Sequence, residues 1–390
     1  MQILSLNIYL MGHVTYQNAL ESAFSKYLPQ ARFNSLHLTD VLKKDFNGRV
    51  MSWFLRRRLP FMGDKDYDLI RFRSELAVSY FARRYLAKNI KLLNPDVIHV
   101  HTQSIALLAG SIFRRRPAVV SLDYTSALLA REHPMPAKYT YRPTMAMERR
   151  CFKAAAHVIT WSDRARMSVI NDYSIPEDKV TTIHPMLPLE YFNKMERRIP
   201  DTPRKTRLLF VGNDFERKGG PDVLAVFLEK FSETCHLDLV TNTPQTISAH
   251  PAVTLHRNMK PLSAELLKLY QDADIFVMPT REDVYALVFR EAAAAGLPCI
   301  ATNVMAVPEI VRDGINGITI KPRDRESLAQ ALKTLIDNPE LRLQMGMAGR
   351  EMAQASCDAE KNCKRIMSVF EKARARCVPG LSGAASPQLS

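Results

Sequence analysis

Asp274-Ile275-Phe276-Val277-Met278-Pro279-Thr280-Arg281-Glu282-Asp283-Val284-Tyr285-Ala286-Leu287-Val288-Phe289-Arg290-Glu291-Ala292-Ala293-Ala294-Ala295-Gly296-Leu297-Pro298 passes from an apolar run through an acidic loop into an alanine-rich stretch. The apolar run 274–278 stops at a proline, which cannot donate to a strand ladder. A helix is expected from Leu287, and a second β-rich run follows at 299–302. Strand, crossover helix and strand together make a βαβ unit, and that unit demands a parallel sheet.

The same alternation extends in both directions. Strand-like runs fall at 2–9, 96–101, 118–123, 156–161 and 180–184 in the first half, and at 207–211, 237–240, 253–256, 274–278, 299–302 and 317–320 in the second. Amphipathic stretches lie between them, among them 16–27, 74–93, 221–231, 263–271 and 325–338. The reading is an α/β protein of two doubly wound Rossmann-like domains facing a central cleft. An N-terminal domain is expected over 1–190 and a C-terminal one over 200–356. A helix at 357–377 returns to the N-terminal domain, and a flexible tail covers 378–390. Ligands of such sheets sit beyond the carboxyl ends of the strands, so chemistry is sought there.

Composition agrees with this class. The 390 residues are 46% hydrophobic and 24% charged, with 14 Gly and 23 Pro, which excludes disordered, collagenous and small disulfide-rich chains. The longest uncharged apolar stretch, 104–113, is far short of the ~20 residues a bilayer helix needs. Met1–Leu10 lacks a basic leader and reads as a first buried strand, not a signal peptide. Six scattered cysteines without Cys-x-x-Cys spacing read as thiols of a reducing cytoplasm, against a zinc site or disulfide frame. Charge is lopsided. Residues 1–200 carry 30 Lys+Arg against 17 Asp+Glu, a net of +13, whereas residues 201–390 carry 24 against 23. The first half therefore faces something anionic.

Several strand ends carry candidate groups. Gly12, in Leu10-Met11-Gly12-His13, lies between strand and helix, where a ligand can approach the backbone. His99 and His101, two apart on a strand, share one face. They are read as a satisfied core pair, half a metal site without a third ligand, or one cleft-facing histidine that hydrogen-bonds a substrate hydroxyl. In Leu208-Leu209-Phe210-Val211-Gly212-Asn213-Asp214-Phe215-Glu216-Arg217-Lys218-Gly219-Gly220, a buried strand enters a glycine-bearing loop with two cations. Lys218 and the Arg217 fork suit a phosphate, the competing reading being a solvated Arg-Lys pair. The amides opening the helix at Leu287 suit a diphosphate, and the Glu291 carboxylate suits two ribose hydroxyls. Asp283 suits a sugar in the same way. The structural alternative makes Glu291 a helix-face charge and Asp283 a cap.

These stretches resemble the retaining nucleotide-sugar glycosyltransferases of the GT-B fold, family 4 (glycosyl transferases group 1). The likeness is strongest over 208–322, through Asp283-x7-Glu291, the Ala-rich helix with Gly296-Leu297-Pro298, Val307-Pro308-Glu309-Ile310-Val311 and Asp313-Gly314-Ile315-Asn316-Gly317. The resemblance implies that Lys218 holds the donor diphosphate and Glu291 the ribose. It further implies that Asp283 binds sugar hydroxyls near the anomeric centre, and that Tyr285, Ala286, Leu287 and Val288 offer backbone to sugar and phosphate. His101 corresponds to a histidine touching the donor sugar, Gly12 to the N-terminal glycine loop, and Arg257 with Asn258 to the frame of the base. Three positions depart from the pattern. Asn213 stands where Arg is usual, with Arg217 as the substitute; Asp283 replaces Glu; Ala286 replaces Gly.

The expected reaction is retaining transfer of a sugar from a UDP- or GDP-sugar to an acceptor hydroxyl, metal-independent and without a cofactor. A GT-B epimerase or phosphorylase, or a non-enzymatic basic binding protein, are the alternatives. The acceptor is unknown; Asp123 and His133 are its candidate contacts, with a lipid-linked, polysaccharide or glycolipid molecule in view. Arg56-Arg57-Arg58 between Trp53-Phe54-Leu55 and Leu59-Pro60-Phe61, with Arg71, Arg73, Arg83, Arg84 and Arg114-Arg115-Arg116, are read as facing an anionic membrane surface, the competing reading being a solvated face with ordinary core aromatics, and not as a nucleic-acid site. A cytoplasmic protein, peripheral at the inner face of a membrane, is the expectation.

Overall fold

The computed structural model describes residues 1–8, 11–40, 70–132, 140–197, 204–243 and 250–377. The chain divides into two compact units, Met1–Met186 with Glu360–Ser390, and Leu187–Ala359. The triple-arginine segment 56–58 with its flanking aromatics, His133, and the tail from 378 lie outside the described residues.

The first unit holds a six-stranded parallel sheet built from β1 (Gln2–Asn7), β2 (Arg32–His37), β3 (Val97–His101), β4 (Ala118–Leu122), β5 (His157–Thr160) and β6 (Val180–Thr182). Its order is β2-β1-β3-β4-β5-β6. The second unit repeats the scheme with β7 (Thr206–Val211), β8 (Cys235–Val240), β9 (Val253–His256), β10 (Ile275–Val277), β11 (Cys299–Thr302) and β12 (Gly317–Ile320), in the order β12-β11-β10-β7-β8-β9. Central strands are buried on both faces because crossover helices cover them, so every residue of β3, β4, β5 and β10 is buried, the polar His99, His101, Ser121, His157 and Thr160 included. The edge strand β2, Arg-Phe-Asn-Ser-Leu-His, has no fully buried residue. That is why no apolar run betrays it in the sequence.

Each sheet has one switch point. In the first unit successive strands run outward from the β1/β3 pair, registered at Ile3 and Val97; in the second, from the β7/β10 pair, registered at Leu208 and Ile275. The crossover helices that follow two adjacent strands at such a point go to opposite faces of the sheet and leave a crevice at the carboxyl ends of the strands. The helix Ala359–Cys377 belongs to the first unit. There Phe370 packs against Phe24 and His99 at ring distances of 6.1 and 5.4 Å, and Asn362 Nδ2 donates to the His184 carbonyl at 3.1 Å.

Candidate active site

In the second unit the loops leaving β7 and β10 are pressed together. Gly219 has φ +80°, and a Cβ there would lie 2.2 Å from the Pro279 carbonyl oxygen, so only glycine allows this approach. The Arg217 backbone carbonyl accepts from the Arg281 amide (2.7 Å) and from Thr280 Oγ1 (3.3 Å). The Arg217 guanidinium donates to the Glu282 carbonyl (2.5 Å) and to Asp214 Oδ2 (2.9 Å). Arg217 therefore fastens the two loops to each other in this structure. Arg281 joins the same frame by reaching Asp222 (3.2 Å), which also pairs with Arg325 (2.7 Å).

That frame brings Lys218 onto Asp283, 65 residues away in sequence, as an ion pair of Nζ and Oδ2. Their side chains are 15% and 8% exposed, so the pair is shielded from bulk water. From Asp283 the chain passes through Val284, the buried Tyr285 and Ala286 into the helix Leu287–Ala294, whose first turn has no side-chain cap. Its leading amides stay available as donors. Tyr285 is fixed from behind by Arg290, whose Nε donates to Tyr285 Oη at 3.1 Å while Nη1 donates to Ser356 Oγ at 2.7 Å.

Glu291 lies one turn into that helix. It is 5% exposed, and Tyr270 Oη donates to its Oε2 at 2.8 Å. Burial raises the Glu291 carboxyl above the ordinary range, and the Tyr270 hydrogen bond works against that rise. Solvent exposure is what its place on an amphipathic helix suggests; the carboxylate is instead nearly enclosed because the phenol of the preceding helix, Ala264–Asp272, reaches over it. The helix carrying Glu291 ends at Gly296 (φ +75°), where the Gly296 and Leu297 amides return to Ala293 and Ala292. Two arginines complete that end: Arg197 Nε donates to the Ala295 carbonyl at 2.6 Å and Arg350 Nε to the Ala294 carbonyl at 3.2 Å. At the tip of β9, Arg257 donates to the Thr243 carbonyl (3.2 Å) and the Asn258 amide to Asn242 Oδ1 (2.6 Å), while Asn213 Oδ1 accepts from the Asn242 amide.

The switch point of the first unit is built differently. His101 is fully buried, stacked on Trp161 (4.9 Å, 12°) and flanked by Tyr16 and His13, each 4.6 Å away between ring centres. Burial, and then the nearby His13, push its pKa well below the usual histidine value and keep it neutral. Neither of its ring nitrogens has a hydrogen-bond partner among the described residues. Enclosure among three rings corrects the expectation of an exposed imidazole here. His99 is a satisfied core histidine, bonded to Ser5 Oγ (2.9 Å) and Ser121 Oγ (2.7 Å). Asp123 is buried, with Oδ2 3.3 Å from His13 Nε2. Gly12 does not occupy a loop. The helix starts at Met11, and Gly12 falls in its first turn. Among the described residues no group of three or more His, Cys, Asp or Glu stands where it could hold a metal ion.

Residues 205–338 match the family described as glycosyl transferases group 1, and residues 51–191 match glycosyltransferase family 4. The chain belongs to the group 1 glycosyltransferases. Among its relatives, D-inositol 3-phosphate glycosyltransferase 1 of Catenulispora acidiphila is 24% identical over 307 residues, which are 71% of this chain and 72% of that protein. Sucrose-phosphate synthase from Thermosynechococcus elongatus has the same fold, with a TM-score of 0.71 at 16% identity over 95% of this chain and 98% of that one. HepE of Anabaena in complex with UDP-glucose gives a TM-score of 0.65 at 15% identity, covering 95% and 99%. The fold of this glycosyltransferase is GT-B. Its sequence left four groups of the second unit unmarked. Tyr270, Arg197 and Arg350 support the helix Leu287–Ala294 and its end from 21, 98 and 56 residues away, where no local pattern points to them, and Arg281, inside the acidic loop, acts by reaching Asp222 59 residues earlier. His13 did have a signal, since it adjoins Gly12 at a strand end.

Proposed function

We propose that this glycosyltransferase moves a sugar from a UDP- or GDP-sugar to an acceptor hydroxyl, with retention at the anomeric carbon and without a metal. The carrying observation is the meeting of Lys218 with Asp283 at the mouth of an uncapped helix whose next turn presents Glu291. One cation with free helix amides suits a diphosphate, and the carboxylates of Asp283 and Glu291 suit the sugar and the ribose. That HepE is seen with UDP-glucose on the same fold supports a nucleotide-sugar donor. In the step proposed, the acceptor oxygen forms a bond to the anomeric carbon as its bond to the diphosphate breaks. The acceptor proton goes to the departing phosphate oxygen. Lys218 and the helix amides stabilise the negative charge that develops, the kind of contribution that commonly dominates enzyme rates. Lys218 must then exchange Asp283 for the diphosphate, which frees the carboxylate for sugar hydroxyls. Arg217, held by Asp214 and Glu282, supports the loop and adds positive potential. Backbone from Tyr285 to Val288 meets the sugar and phosphate, and Arg257 with Asn258 the base.

On the first unit, His101 and Asp123 are the groups proposed to meet sugar and acceptor. Its basic face is proposed to meet an anionic membrane, for a lipid-linked or glycolipid acceptor. Tyr80, Arg84, Lys88 and Lys91 follow one another at helical spacing on the exposed side of Ile70–Leu93, ending beside Leu92, which is 85% exposed. Arg71 is withdrawn from that face by Glu75 (3.0 Å) and by the rings of Tyr124 and Tyr141. Among the described residues no helix is long and apolar enough to cross a membrane. Each basic residue near anionic lipid contributes roughly 1 kcal/mol.

Incubation with a panel of sugar nucleotides, followed by NMR of the new anomeric proton, tests the reaction. Transfer with retained configuration in the presence of EDTA is expected; inversion, or strict need for a divalent ion, contradicts it. Salt-sensitive co-sedimentation with vesicles containing phosphatidylglycerol, weakened in Arg84→Ser/Lys88→Ser/Lys91→Ser, tests the membrane contact. Absence of binding at low salt favours a soluble acceptor.

A further inference from the structure

We propose that Tyr270 is a positioning residue for Glu291: its phenol holds Oε2, so that Oε1 is presented to the ribose hydroxyls of a nucleoside diphosphate. The inference rests on the reading of Glu291 as the ribose acceptor, and it assigns a role to a residue 21 positions earlier on another helix. Tyr270 has no exposed surface, so its hydroxyl needs an internal partner, and a carboxylate is the strongest one on offer. Oε2 is that partner at 2.8 Å; Oε1 has no hydrogen bond among the described residues and is not among the sealed polar atoms. One oxygen is committed and the other is accessible.

The phenol is itself immobilised. Its ring lies against Phe276 (6.1 Å, 26°) and Phe192 (6.3 Å, 70°). One guanidinium, that of Arg197, donates to the carbonyls of Tyr270, Gln271 (2.9 Å), Ala273 (2.7 Å) and Ala295 (2.6 Å). The C-terminal ends of the two helices carrying Tyr270 and Glu291 are thereby tied to a single planar fork, which Lys cannot reproduce. Two rigid anchors fix the direction from phenol to carboxylate. Losing the hydroxyl leaves a glutamate free to change rotamer, with its best-placed acceptor no longer selected.

The test is calorimetric titration with UDP and GDP and with their 2′,3′-dideoxy counterparts, which lack the hydroxyls concerned. The wild-type protein is expected to prefer the ribonucleotide, and Glu291→Gln to lose most of that preference. Tyr270→Phe, which keeps the ring, is expected to lower the preference about three- to tenfold, the range for one net hydrogen bond, while leaving dideoxynucleotide affinity unchanged. Arg197→Lys is expected to lower it by less. If Glu291→Gln leaves the preference intact, the ribose reading fails. If Glu291→Gln removes it and Tyr270→Phe retains it, or weakens both ligands equally, the positioning role fails alone.

Discussion

Two switch points of one fold solve their polar chemistry in opposite ways. In the second unit the charged groups are committed to each other: Lys218 to Asp283, Arg217 to Asp214 and the Glu282 carbonyl, Glu291 to Tyr270. In the first, His101 makes no hydrogen bond through either nitrogen among the described residues, and His13 Nδ1 and Asp123 Oδ1 are buried and likewise uncommitted. An arrangement of paired charges is preorganised for an anion that exchanges one partner for another. Aromatic rings around buried ring nitrogens and a carboxylate oxygen that the described residues leave without a hydrogen bond instead form a site with polar capacity still to be met. Topology gives both units a crevice at the same place; side chains decide what each can recognise.

The comparison can be broken most sharply at Lys218. Lys218→Ala is expected to cost at least ~2 kcal/mol of transition-state stabilisation in kcat/KM, and to lower fold stability as well, by ~1–3 kcal/mol, because Asp283 is left enclosed without its partner. Adding Asp283→Asn should restore the melting temperature without restoring turnover. Recovery of both would make the pair structural only. Arg197→Ala removes four carbonyl contacts at two helix ends and is expected to destabilise the second unit by about 2 kcal/mol in urea unfolding, with the first unit unaffected. A change confined to the first unit would contradict the assignment.

In the first unit pH provides the probe. Burial lowers the pKa of His101, so below the unfolded value of ~6.5 the unfolded chain takes up a proton that the native state refuses, and stability falls as pH falls. The unfolded pKa caps the cost from that group at about 2 kcal/mol by pH 5. Glu148, raised to about 7 by burial, acts with the opposite sign, so the wild-type profile is a sum. The difference between profiles isolates the histidine: His101→Phe should lose less stability between pH 7.5 and 5 by up to about 2 kcal/mol. Parallel profiles would mean that His101 is protonated in the folded protein.

Legibility in the sequence follows the same contrast. The second-unit site sits on two continuous stretches, 208–220 and 274–298, because each is a strand, its loop and the helix behind it; spacing and residue type therefore read together. What went unread there acts across the fold. Tyr270 and Arg197 are ordinary residues locally and gain meaning only when two helix ends converge. Strand positions were legible wherever crossover helices bury both faces, and β2 was not, since an edge strand need not be apolar. First-unit polarity is assembled from His13 in the first helical turn after β1, His101 at the end of β3 and Asp123 just past β4. No linear pattern ties a residue after β1 to one after β4, and the enclosure of His101 by Trp161 and Tyr16 depends on contacts between elements.

The account stands most directly on Lys218 as the group that meets the donor diphosphate. Titration of wild-type protein and Lys218→Met with UDP and uridine, and with GDP and guanosine, separates that role from all others. The diphosphate form is expected to lose at least about 30-fold in affinity in the variant, equivalent to ~2 kcal/mol, while the nucleoside binds unchanged. Equal affinity of both proteins for UDP and for GDP would contradict it.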